Sequence, residues 1–269
     1  MRPNTKTKYI GIDIGGSKIL IQTFDAKLNK FNEKQIKTDV LHGKVGFLRQ
    51  LYSLIDAFFD QSIKGIGVAV PGIVDWKKGV LVHAPHLPTG KDLKLKMLLK
   101  KRYKVDIYVD NDINGFLAEE SQKTTLKKSK NILAVMVGTG LGGAAITDGK
   151  LVYGKDGFAG EFGHMVIRQS DKKLKTFEQN TSGYYLKKYP RLKKDLVENF
   201  GIGLSNLNLI FNPEVIVLGG SVYCHHLADK KRQLVTIIRQ HSLAKQVPKL
   251  LDAGSRTSVA KGVVRLLIH

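Results

Sequence analysis

Asp13-Ile14-Gly15-Gly16-Ser17-Lys18 lies between two apolar runs, Tyr9–Ile14 before the glycines and Ile19-Leu20-Ile21-Gln22-Thr23-Phe24 after them. A phosphate loop of the Walker or dinucleotide-binding type must open a helix, whose N-terminus holds the anion. The residues after Lys18 are rich in β-branched and aromatic types, which favour a strand. The glycines therefore turn a hairpin between strands Tyr9–Ile14 and Lys18–Phe24. The arrangement returns at Gly138-Thr139-Gly140-Leu141-Gly142-Gly143, between strands expected over Asn131–Val137 and Ala144–Asp148. A lone Gly-Gly between strands is commonly an ordinary hairpin. Two of them at corresponding places, one following Asp13 and one carrying Thr139, read as paired fingers on a polyphosphate chain. Glycine lets backbone N–H groups approach an anion closely and tolerates left-handed φ. Asp13 would hold Mg²⁺, directly or through water, because hard cations take oxygen ligands.

Outward from these turns the chain alternates strands and helices. After a third strand near Phe31–Thr38, a helix is expected over Val45–Asp60, a strand over Lys64–Val70 and a Gly- and Pro-rich loop. Helix Asp92–Tyr103, with Leu95, Leu98 and Leu99 at helical spacing, precedes strand Asp106–Val109. Helix Asp112–Gln122 follows, and after the second turn come a short strand Leu151–Tyr153, helices Thr176–Lys188 and Arg191–Phe211, strand Val215–Leu218, helix Leu227–His241 and helix Ser258–Ile268. This order implies two related α/β domains with a cleft between them, 1–110 and 111–254, with 255–269 packing back on the first.

Composition narrows the surroundings. The 269 residues carry 44 Lys+Arg against 23 Asp+Glu, a net charge of +21. Such a surface suits polyanions, but net charge describes solubility and non-specific binding rather than a site, so nucleic acid is not expected as a partner. Apolar runs such as Ile132–Val137 are strand-length, so no membrane span is expected. Asp13 breaks the first apolar stretch, and no signal peptide is expected. Cys224 is the single cysteine, which excludes an internal disulfide and points to a reducing cytoplasm.

The strand ending near Val109 delivers Asp110-Asn111-Asp112 at the start of a helix. Asn and Asp are preferred helix caps, so capping is one reading. In the other, Asp112 is a general base for phosphoryl transfer, which needs an in-line alcohol, a proton acceptor and charge neutralisation. Asn111 offers a donor and an acceptor to a hydroxyl. Further on, Glu161 and His164 stand three apart between glycines in Gly160-Glu161-Phe162-Gly163-His164 and could face a small polyol. Glu178, at the start of a helix, could serve only the helix dipole.

Taken in order, these segments resemble the ROK family of repressors and sugar kinases, from Tyr9 to about Leu267. Asp13–Lys18 resembles its first phosphate motif and Gly138–Gly143 its second. Ala69-Val70-Pro71-Gly72-Ile73-Val74-Asp75 resembles its Pro-Gly loop, Asn111-Asp112 its sugar-binding and catalytic pair, and Gly160–His164 its signature. Asn212-Pro213-Glu214-Val215-Ile216-Val217-Leu218-Gly219-Gly220 resembles its adenosine-side strand. The resemblance implies an actin-like (ribonuclease H-like) fold and a kinase using ATP and Mg²⁺ on a hexose, glucose first. Asp112 would be the catalytic base, and Asn111, Glu161, His164 and Glu178 would contact the sugar. Gly15, Gly16, Ser17, Lys18, Gly138, Thr139, Gly140 and Gly142 would hold the donor, with Gly219 and Gly220 beside its base and ribose.

Three features depart from the family pattern. Ile167-Arg168-Gln169-Ser170-Asp171-Lys172-Lys173 lacks the cysteines that build a zinc site with the signature histidine in many members, so no zinc is expected. The stretch from Glu178 to Pro213 is shorter than usual, which leaves a homodimer open. In His83-Ala84-Pro85-His86-Leu87-Pro88, His86 stands where related sugar kinases often have Asn. Three alternatives follow: a polyphosphate-using glucokinase, although Ser17-Lys18-Ile19 resembles the ATP users; a non-catalytic sugar sensor; and a nucleic-acid-binding regulator. With only eight residues before Tyr9, the helix-turn-helix module a repressor needs is not expected.

Overall fold

Strands β1 (Lys8–Ile14) and β2 (Lys18–Asp25) pair antiparallel, with Ile14 opposite Ile19 across the first glycine turn. In the computed structural model, which describes residues 7–170, 173–254 and 258–269, the chain divides into two units. The first runs to Glu120 and also takes Lys155–Gly157 and the C-terminal helix; the second holds Ser121–Gly154 and Phe158–Gly254.

The first unit continues with β3 (Lys30–Lys37), α1 (Gly43–Asp56), β4 (Ile63–Val70), β5 (Ile73–Asp75), β6 (Val80–His83), α2 (Leu95–Tyr103), β7 (Asp106–Asn111) and α3 (Asp112–Glu120). Its main sheet has the order β3-β2-β1-β4-β7, antiparallel across the first three and parallel from β1 to β7. Isoleucines 10, 12 and 14 of β1 and Ile66 and Val68 of β4 are fully buried, with Phe47, Leu51 and Ile55 of α1 in the same core.

The second unit holds β8 (Ile132–Val137), β9 (Leu141–Thr147), β10 (Lys150–Leu151), β11 (Val166–Ser170), β12 (Lys173–Thr176), α4 (Phe177–Thr181), α5 (Gly183–Lys188), α6 (Leu196–Phe211), β13 (Val215–Gly219), α7 (Ser221–His226), α8 (Lys231–His241) and β14 (Lys249–Asp252). Its sheet order, β10-β9-β8-β13-β14, repeats that of the first unit strand for strand, with the same antiparallel and parallel halves. Helix α9 (Ser258–Ile268) then belongs to the first unit and packs on α3, β1, β4 and β7.

Several expected elements are corrected by tertiary contacts. The first helix stops at Asp56 rather than 60, because Asp60 turns the chain by accepting hydrogen bonds from the backbone and hydroxyl of Ser62 and from Lys8. Helix α2 starts at Leu95, not 92: Asp92 has φ 54°, and Leu93 bridges to Leu81 instead. The Gly- and Pro-rich loop contains the β5–β6 hairpin. The helix expected over 176–188 is two helices broken at Ser182, and the one over 227–241 begins only at Lys231, preceded by α7. Hairpin β11–β12 and the parallel edge strand β14 had no expectation. The boundary between units falls after Glu120 rather than at 110, since α3 packs on α9.

Candidate functional site

In the first unit the candidate residues gather at the carboxyl edge of the parallel strands, where open α/β sheets bind their ligands. Asp13 near the end of β1 is paired with Ala69 of β4, and Ala69 with Asp110 of β7. Two strand spacings, roughly 10 Å, therefore separate the Asp13 backbone from that of Asp110. The turn between β1 and β2 is closed by the Gly15 N–H donating to Lys18 O at 2.8 Å. It is braced by Thr38, whose hydroxyl donates to Gly15 O at 2.6 Å and whose N–H donates to Ser17 O at 3.1 Å. Ser17 and Lys18 are exposed on it.

Of the triplet Asp110-Asn111-Asp112, the first residue is the buried one. The Asp110 carboxylate accepts from Asn111 N–H (2.7 Å), Asn114 Nδ2 (2.9 Å) and the Tyr108 hydroxyl (2.9 Å). It pins the strand-to-helix junction, a role the sequence did not separate from that of Asp112. Asn111 accepts from Ile113 N–H through Oδ1 (2.8 Å) and donates through Nδ2 to Gly72 O (2.9 Å). Its amide thus caps α3 and ties the Pro-Gly loop to β7. Asp112 is half-buried at the first position of α3. Loop 83–86 closes over this edge: a Cβ on Gly72 would collide with His83 O, and one on Gly16 would lie 3.1 Å from both Cβ and O of His86.

The second unit repeats the plan after β8 and β13. Its turn is shorter than expected, three residues between the paired Val137 and Leu141, and Gly142 and Gly143 lie inside β9. Left-handed backbone is not what either turn requires. Gly15, Gly16, Gly138, Gly140 and Gly142 are absent from the positive-φ residues, whereas Gly220, which caps α7, has φ 93°. Close packing explains Gly143 and the signature glycines instead. A Cβ on Gly143 would strike the Phe162 ring, one on Gly160 would lie 2.7 Å from Gly143 O, and one on Gly163 would strike Leu141 O. The signature segment is thereby laid directly on β9. At the end of β13, a Cβ on Gly219 would lie 2.6 Å from that of Ala253, and one on Gly220 would strike Val137 O.

Three hydrogen bonds fix the turn to the segment 178–184. Leu141 N–H donates to Glu178 Oε2 at 2.8 Å, Gly183 N–H to Gly138 O at 2.7 Å, and Tyr184 N–H to Thr139 O at 3.1 Å. The last two explain the break at Ser182, where backbone donors leave the helix to meet the turn. Glu161 is half-buried, and that burial pushes its carboxyl above the ordinary glutamate range; His164 opposes the shift and Glu178 adds to it. His164 is exposed, its Nε2 3.9 Å from Glu161 Oε2.

Among the described residues no group of three or more His, Cys, Asp or Glu could hold a metal ion alone. A Mg²⁺ held mainly by phosphate oxygens and water needs only one or two carboxylates, and Asp13 fits that donor set. Where many relatives were expected to carry zinc cysteines, β11–β12 forms a hairpin tied to α6 by Arg168, which donates to Asp195 and Asn199 at 3.3 Å each. Asp171 and Lys172 lie outside the described residues. Cys224 is exposed on α7. No described helix is long and apolar enough to cross a membrane.

Paired sheets of one strand order, each with a glycine turn between its first antiparallel strands and polar groups beyond its parallel ends, define an α/β protein of the actin-like ATPase class. The ROK family model matches residues 9–184, and the chain belongs to the ROK family. Over 159 residues it is 35% identical to an N-acetyl-D-glucosamine kinase of Pectobacterium atrosepticum, covering 58% of this chain and 52% of that protein. It is 26% identical over 316 residues to a xylose repressor of Caldicellulosiruptor bescii, covering 96% of this chain and 77% of that protein. The ROK hexokinase of Thermus thermophilus superposes with a TM-score of 0.81 at 23% identity, covering 96% of this chain and 97% of that one. The chain spans about half the length of the sugar kinases it matches first.

Proposed function

We propose that this protein is a sugar kinase that transfers the terminal phosphoryl group of ATP to a hydroxyl of a hexose or N-acylated hexosamine. The observation that carries the reading is the repeated corner: in each sheet a braced glycine turn joins the first two antiparallel strands, and the first sheet adds Asp112 at its carboxyl edge. The sugar oxygen would attack the terminal phosphorus as the bridging oxygen leaves with ADP, and Asp112 would take the hydroxyl proton. Glu161 and His164 would hold the sugar, together with Asn111, whose capping role leaves it one amide hydrogen and one lone pair. Mg²⁺ at Asp13 would neutralise phosphate charge. The cytoplasm, as a source of ATP, suits this reading.

The test is a coupled phosphorylation assay over glucose, mannose and N-acetylglucosamine, with ATP and with polyphosphate. Turnover on at least one sugar is expected, glucose being the first to try. Asp112→Asn should lose on the order of 10²–10⁴ in turnover while keeping its fold by circular dichroism. Faster turnover on polyphosphate would replace ATP as the donor, a reading the charge of +21 favours. The xylose repressor, matched over 96% of this chain, favours a second reading, a sugar-binding regulator without catalysis. Sugar binding by calorimetry with no turnover on any donor would establish that reading and overturn the kinase.

A further inference from the structure

The sequence offers Glu178 two roles, serving the helix dipole or, by resemblance, contacting the sugar, and its side chain does something more definite. Its Oε2 accepts the Leu141 N–H at 2.8 Å, and a Cβ on Gly140 would come within 2.9 Å of the same oxygen. Gly140 therefore makes room for a carboxylate of this protein as well as for any donor phosphate. The carboxylate is fixed from behind. Thr176 and Gln179 form a reciprocal cap at the start of α4, and a Cβ on Gly163 would lie 3.5 Å from Glu178 Cβ. Glu178 thus stands between the signature segment and the second glycine turn, and it shares the bracing of that turn with the Gly183 and Tyr184 amides.

We propose that Glu178 is a positioning residue for the donor: one carboxylate oxygen holds the Gly138–Gly140 turn in shape through Leu141 N–H, and the other remains for the sugar. Sugar and donor sites are coupled through this one side chain. The proposal rests on the kinase reading for the identity of the donor, but the tie between Glu178 and Leu141 is independent of it. Removing the acceptor leaves the half-buried turn without one of its three struts. An amide oxygen accepts less strongly than a carboxylate but still offers Leu141 N–H an acceptor, so Gln should restore much of what Ala removes.

The experiment measures binding of a non-hydrolysable ATP analogue by calorimetry and exchange of the Leu141 amide by NMR, in the unsubstituted protein, Glu178→Ala, Glu178→Gln and Gly140→Ala. Glu178→Ala should weaken nucleotide binding roughly tenfold, as expected for loss of a hydrogen bond to a charged acceptor, and should speed Leu141 exchange. Glu178→Gln should stay within about threefold of the unsubstituted protein. Gly140→Ala should resemble Glu178→Ala, and the double substitution should be little worse than either, because both act on one contact. A Glu178→Ala protein that loses sugar affinity alone, with nucleotide binding and Leu141 exchange unchanged, overturns the proposal. If the unsubstituted protein binds no nucleotide, the kinase reading and the donor role fail together, whereas faster Leu141 exchange in Glu178→Ala still establishes the tie.

Discussion

The signature turn Gly160–His164 holds one half-buried carboxylate and one exposed imidazole. Burial raises the Glu161 carboxyl above its ordinary value, so the folded protein keeps a proton there at a pH where the unfolded chain has lost it. Folding then costs progressively more as pH rises past the ordinary 4.5, and the full cost is present above the raised value. Glu161→Gln should therefore match the unsubstituted protein in thermal stability in acid and exceed it at neutral pH. A difference in melting temperature that stays constant across pH would contradict this. A carboxylate kept there at the expense of stability accords with the sugar contact proposed for Glu161. The sequence drew attention to Glu161 and His164 by their glycine flanks. It did not separate Asp110 from Asp112, because choosing among three adjacent polar residues depends on which one the sheet buries.

Helix α9 shows how an element is seated. Its buried face, Val259, Ala260, Val263 and Val264, recurs at helical spacing and rests on glycines of the sheet. A Cβ on Gly67 would lie 2.7 Å from the Val263 carbonyl, one on Gly11 would strike Ala260 O, and Gly115 of α3 meets Gly262 backbone to backbone. Glu119 of α3 adds ion pairs to Lys261 and Arg265 at 2.8 Å. Because the neighbour of Gly67 is main chain, it cannot rotate aside. Gly67→Ala should cost about 1–3 kcal/mol by overpacking, read as a lower denaturation midpoint; a neutral result would mean that α9 is not seated as described. The helix itself was legible from its periodicity over Ser258–Ile268. Its glycine bed was not, since glycines in strands carry no sign of what approaches them.

At the scale of the whole molecule the charge is the unusual quantity. With 44 basic and 23 acidic side chains, cations exceed carboxylates by 21, and mutual repulsion opposes the folded state. Raising NaCl from about 0.02 to 0.3 M shortens the screening length severalfold and should raise the melting temperature. A fall over that range would mean that attractive surface pairs such as Arg102–Asp56 outweigh the repulsion. Those pairs are exposed, and exposed pairs contribute ~1 kcal/mol or less each.

The sequence by itself determined that both glycine turns join strands, that two similar α/β halves follow one another, and where α9 begins and ends. These features rest on local alternation, on helical spacing and on residue types that one stretch of chain carries alone. Tertiary structure decided which aspartate of Asp110-Asn111-Asp112 is buried, that Asn111 is tied to Gly72, and that Gly143 makes room for Phe162. It also broke the helix at Ser182, where the Gly183 and Tyr184 amides donate to carbonyls more than forty residues earlier. A hydrogen bond between groups so far apart in the chain leaves no mark on the residues between them, and only the folded packing makes it available.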